Sequence, residues 1–186
     1  MANRGGPHLC FAGLAAALAG CDALPSMPAL EVRWTGRDTG RLESRAQAFW
    51  CPGVARLEIR GVQGDAGAGL VLYARSESSA APESGAYPVF DPLPDTGTPR
   101  PGSAVALRLF TQTLIKGYRG DSGSVALARR GRTWSARIAA RLLTMGGGDT
   151  VWLTGVARGV VPRVAPERCP DSLPRSESLR PGPPPE

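Results

Sequence analysis

Between residues 133 and 143 the chain alternates without a break: Trp134, Ala136, Ile138, Ala140 and Leu142 against Ser135, Arg137, Ala139 and Arg141. A period of two belongs to a strand with one dry face and one wet face, not to a helix. Such a strand folds only where other strands cover its apolar side, so the search moves to its partners. Ser122 to Arg129 precedes it across Arg130-Gly131-Arg132, a hairpin turn, and 146–149 turns the chain into 150–161. These three segments read as a meander.

The pattern recurs upstream. Leu30, Val32 and Trp34 line one face before a turn at 36–40. Leu57 and Ile59 alternate with Arg56, Glu58 and Arg60, and 61–69 turns into a strand at 69–75. Residues 41–50 fit a strand or a short helix, because Ala and Gln suit both. Residues 76–85 read as a polar loop, 86–90 as a short extended piece and 91–102 as a proline-rich loop. Residues 103–116 read as a core strand running into a second strand or a bend. With 24 glycines and 18 prolines breaking the apolar runs, the sum is one all-β domain: an antiparallel β-sandwich or small barrel of about eight to ten short strands. It spans 31–169. Residues 170–186, with six prolines, bury too little apolar surface to fold and are expected to be a disordered tail.

The first residues are of another kind. A weakly basic start at Arg4 and His8 leads into an apolar run from Leu9 to Ala19, too short to span a bilayer. It closes on Leu18-Ala19-Gly20-Cys21. This stretch resembles the lipobox of bacterial lipoproteins, in which a signal peptidase cuts before a cysteine that is then lipidated. The match ends at Cys21. It implies a signal peptide over 1–20, a lipidated Cys21, and a tether over 21–30. No other stretch reaches the roughly 18 apolar residues of a span. The mature protein is then expected in the cell envelope, held by palmitate-type acyl chains on a membrane, facing the periplasm or the exterior. Asp22 does not decide between inner and outer membrane.

Cleavage there changes the chemistry left behind. Cys10 departs and Cys21 is acylated, so Cys51 and Cys169 remain to pair as a disulfide in an oxidising compartment. Neither has a CxxC or histidine neighbour, and no metal site or cofactor is expected. His8, the only histidine, departs too. That excludes Ser-His-Asp and Cys-His catalysis. The one lysine, Lys116, lacks the SxxK spacing of a Ser-Lys dyad.

Carboxylate chemistry survives this filter. Asp38-Thr39-Gly40, Asp95-Thr96-Gly97 and Asp121-Ser122-Gly123 resemble the aspartic-protease triplet. Gly36-Arg37, Leu93-Pro94 and Arg119-Gly120 stand where that family has hydrophobic strand residues, so turns explain the triplets better. Glu58, Asp65, Asp91, Asp95 and Asp121 are candidates for a glycosidase pair, which needs two carboxylates roughly 5–10 Å apart. The glycine-rich stretch 61–69 lacks the helix of a phosphate loop and the acids of a calcium loop, and reads as a hairpin turn. Arg119-Gly120-Asp121-Ser122 spells an adhesion tetrapeptide that a chain this rich in Arg and Gly produces by chance. Trp34, Trp50 and Trp134 are expected in the core. Trp152 is the exception, with apolar neighbours on both sides.

The net charge of +6 comes from 21 arginines and one lysine. They are spread along the chain rather than clustered with aromatics, so nucleic acid is not an expected partner. A membrane reached through the lipid anchor is, and an envelope protein or glycan fits the compartment. No catalytic residue is assigned. The chain reads as a membrane-anchored, non-catalytic binding or structural module. The rivals are a carboxylate-dependent hydrolase of envelope polysaccharide and a carrier of an apolar ligand.

Overall fold

The stripe that runs from Trp134 to Leu142 is buried along its whole length, while Arg137 and Ala139 between its members are exposed. A computed structural model describes residues 27–92, 98–165 and 169. The expected signal peptide, Cys21 and the expected tail at 170–186 lie outside the described residues, as does the Asp95 triplet. Eleven strands are present: β1 (Ala29–Gly36), β2 (Gly40–Arg45), β3 (Gln47–Cys51), β4 (Arg56–Gln63), β5 (Ala66–Tyr73), β6 (Gly85–Pro88), β7 (Gly102–Phe110), β8 (Ile115–Arg130), β9 (Thr133–Thr144), β10 (Thr150–Val160) and β11 (Arg163–Val164). The only helical element among the described residues is a single 3₁₀ turn, Pro52–Val54.

All eleven belong to one sheet, with the order β11-β3-β4-β5-β7-β8-β9-β10-β1-β2 and β6 paired to β8. Every pairing of named strands is antiparallel except β11 on β3. The sheet curls on itself. β2 runs into β3 through Ala46 alone, β2 pairs with β1 and β3 with β4, so one bent strand joins the two ends of the strand order. The Gln63 side chain of β4 accepts the Glu43 backbone N–H of β2 at 2.8 Å, bridging the seam. The result is a barrel-like all-β fold.

The interior is packed with side chains. Leu30, Leu42, Leu57, Ile59, Leu107 and Leu142 are each at most 1% exposed, and Trp34, Trp50 and Trp134 lie among them. The ambiguous segment 41–50 is therefore strand on both sides of Ala46. Its inward positions, Leu42, Ala46, Ala48 and Trp50, are all buried, and the small size of the alanines hid their period.

Downstream, β7 ends at Phe110 and the chain turns over 111–114, where the Thr111 N–H donates to the Leu114 carbonyl at 2.9 Å. β8 then runs through the glycine-rich stretch 117–123, which alternation had not claimed for a strand. The register shifts between Gly120 and Ser122, making Asp121 the extra residue of a bulge. Val89 packs over the bare Gly120, whose added Cβ would lie 2.6 Å from Val89 Cγ1.

Antiparallel order sorts the turns by end. Turns β1–β2, β4–β5, β7–β8 and β9–β10 lie at one end, here the distal end. The start of β1 at Ala29, the β3–β4 link, the β8–β9 turn and the exit of β10 lie at the other, the proximal end.

Candidate functional site

At the distal end the β1–β2 turn reaches to β8. Tyr118 on β8 is fully buried, and its hydroxyl donates to Asp38 Oδ2. Lys116 Nζ donates to both oxygens of the same carboxylate, at 3.0 and 3.3 Å. The Tyr118 hydrogen bond and then Lys116 hold the Asp38 carboxyl below its usual range. Burial and the Asp38 charge push the Tyr118 phenol far above its own, so it stays a donor. Arg37 beside it meets Asp149 of the β9–β10 turn at 3.8 Å.

The outer wall of β8 and β9 carries two more pairs. Arg141 grips Asp121 through Nε and Nη2, and with Ser122 it lowers the Asp121 carboxyl. Arg119 Nε donates to Asp91 at 2.9 and 3.1 Å. The adhesion tetrapeptide is thus part of a strand, with its arginine and its aspartate each occupied by a neighbour. Asp38 and Asp121 are held by different cations and share no proton, unlike a protease dyad.

Of the other candidates, Asp65 sits in the β4–β5 turn, where its carbonyl accepts the Phe110 N–H at 2.7 Å. Glu58 lies between Arg56 and Arg60, 3.8 Å from each. Trp152 stands on the outer wall with 59% of its surface exposed, between Thr35 and Arg141.

One convergence was not expected. Glu31 and Glu43 are direct cross-strand partners on β1 and β2, which sets their side chains about 5 Å apart at the base. With Arg33, Arg137 and Thr154 they border an outer-wall groove of about 450 Å³. The signal was available in the spacing: folding Leu30-Glu31-Val32 back at 36–40 places residue 43 opposite residue 31. Their side chains are 42% and 56% exposed and bonded to Arg158 and Arg41 respectively.

At the proximal end Cys51 and Cys169 are bridged, with Cα atoms 5.6 Å apart. A groove of about 640 Å³ runs between Pro28, Arg45 and Phe49 on one side and Val161 and Arg163 on the other. Among the described residues no three histidine, cysteine or acidic side chains gather as a metal site would require. Comparison with protein-family models, curated proteins and solved structures finds no match for the chain.

Proposed function

We propose that the protein is a lipid-anchored lipoprotein of the cell envelope whose barrel serves as a non-catalytic binding or structural module. The observation that carries this reading is the lipobox-like Leu18-Ala19-Gly20-Cys21, eight residues before β1 begins at Ala29. Two or more acyl chains on Cys21 give a stable hold, at about 0.8 kcal/mol per buried CH₂. The barrel then rides on the membrane without crossing it, and an envelope protein or glycan is its partner.

The site chemistry supports a module over an enzyme. Asp38, Asp91 and Asp121 each face a cation, and Lys116 and Arg141 help to hold the Asp38 and Asp121 carboxyls below their usual range. The packed interior favours a binding surface over a carrier of an apolar ligand. The hydrolase reading rests on one pair, Glu31 and Glu43, and glycan cleavage lost in Glu31→Gln and Glu43→Gln variants would promote it.

Metabolic labelling with palmitate tests the anchor. The wild-type chain takes up label and floats with membranes, and the Cys21→Ala variant does neither; equal labelling of the two overturns the proposal.

A further inference from the structure

The two ends of the barrel differ in how their charges are used. At the distal end two acids are paired with bases, Asp38 with Lys116 and Asp149 with Arg37. At the proximal end arginine is in excess. The β8–β9 turn is Arg129-Arg130-Gly131-Arg132, all exposed, and Arg45, Arg158 and Arg163 are exposed near it. Among the described residues, Glu31 pairs there with Arg158 and Glu77 with Arg100 at 3.3 Å, while Glu83 accepts the Ser79 hydroxyl. No salt bridge among the described residues reaches Arg45, Arg130, Arg132 or Arg163. Set among them are exposed apolar side chains: Met27, Val161 and Val164 at 76%, 51% and 62%.

We infer that this end is a docking face for anionic phospholipid, with Arg130, Arg132 and Arg163 on headgroup phosphates and Met27, Val161 and Val164 in the headgroup layer. Three observations choose a lipid surface over another partner. The chain enters the barrel at this end, and six residues from Cys21 to Met27 reach at most about 20 Å. Free arginines within a Debye length of an anionic leaflet, about 10 Å, are attracted to it. Guanidinium forks also suit phosphate oxygens, and apolar residues between them suit an interface. The inference takes its orientation from the lipid anchor proposed above, but its chemistry is testable with no lipid attached.

The test uses the mature chain from residue 21 with Cys21→Ser, which keeps every described strand. It is sedimented with vesicles of phosphatidylcholine containing phosphatidylglycerol, and with pure phosphatidylcholine vesicles. Binding is expected to the first only, and to fall with salt. Each arginine at such a surface changes partitioning about fivefold, so Arg130→Ser with Arg132→Ser lowers it about 30-fold. Arg108→Ser removes an exposed, unpaired arginine from the distal half and leaves partitioning unchanged. The inference falls if Arg108→Ser loses as much as the double variant, if the double variant binds like its parent, or if pure phosphatidylcholine binds equally. Binding to heparin or DNA without vesicle binding assigns the face to a soluble polyanion and also overturns it. Palmitate labelling is a separate readout, so failure of the anchor and failure of the face are distinguishable.

Discussion

The hydroxyl of Tyr118, buried on β8, donates to the carboxylate of Asp38, 80 residues earlier in the β1–β2 turn. β1 and β8 are separated in the sheet by β9 and β10, so this bond crosses the distal mouth and ties the turn down over the interior. Lys116 joins it from the same strand. The single lysine of the chain is therefore used to hold the barrel closed.

That arrangement makes stability depend on acid. Asp38 is depressed in the fold from its ordinary 3.8. A carboxyl lowered by folding contributes stability above its unfolded pKa and loses it as pH falls through the folded one. Asp38→Asn is expected to cost about 2 kcal/mol at pH 7, the range for a hydrogen bond to a charged group. The gap to wild type closes below about pH 4 as the carboxyl protonates. Urea unfolding of both proteins at pH 7 and near pH 3 checks this; a gap independent of pH contradicts it.

Leu142 and Leu143 are adjacent on β9 and face opposite ways, the first fully buried and the second half-buried on the outer wall. Leu142→Ala leaves a cavity and is expected to cost about 3 kcal/mol. Leu143→Ala is expected to stay below about 1 kcal/mol. Similar losses in denaturant midpoints would mean the outer wall is covered.

Gly155 on β10 lets β1 lie close. A Cβ there would sit 2.5 Å from the Glu31 carbonyl and 2.6 Å from Val32 Cγ1, and backbone has no way to rotate aside. Gly69 on β5 meets nothing nearer than 3.7 Å. Gly155→Ala is expected to lose about 3 kcal/mol by overpacking, and Gly69→Ala to be neutral or slightly stabilising. Equal melting temperatures for the two variants would contradict the close approach.

What the sequence made legible follows from the range of each interaction. Trp134 to Leu142 and the Arg130-Gly131-Arg132 turn are local patterns, so β9 and its hairpin with β8 were readable directly. Cys51 and Cys169 were paired by elimination, once the other two cysteines were assigned to the signal and the lipid. The bend at Ala46 was not readable, because alanines at 46 and 48 fill inward positions without a strong hydrophobic signal. Glu31 opposite Glu43 follows from the local fold-back at 36–40, whereas Asp38 beneath Tyr118 depends on which distant strands neighbour each other, and a single chain's periodicity does not encode that.

The Cys51–Cys169 bridge joins two residues 118 positions apart in sequence. Its cysteines fasten residue 169 to the end of β3, the strand on which β11 makes its two-residue parallel pairing. Closing so long a loop removes much of the freedom of the unfolded chain, about 4–5 kcal/mol in the chain-entropy model. The native barrel is itself held by the antiparallel ladder from β4 round to β2, which the bridge does not touch. Reduction is therefore expected to lower the melting temperature sharply while leaving the far-ultraviolet β signature at 20–25 °C. Cys51→Ser and the double variant with Cys169→Ser are expected to melt together with the reduced wild type, since each lacks the same single link. Thermal melts with and without reductant check this. A wild-type midpoint unmoved by reductant would show that the loop contributes nothing, and a Cys51→Ser midpoint well below the reduced wild type would assign the loss to packing of the side chain.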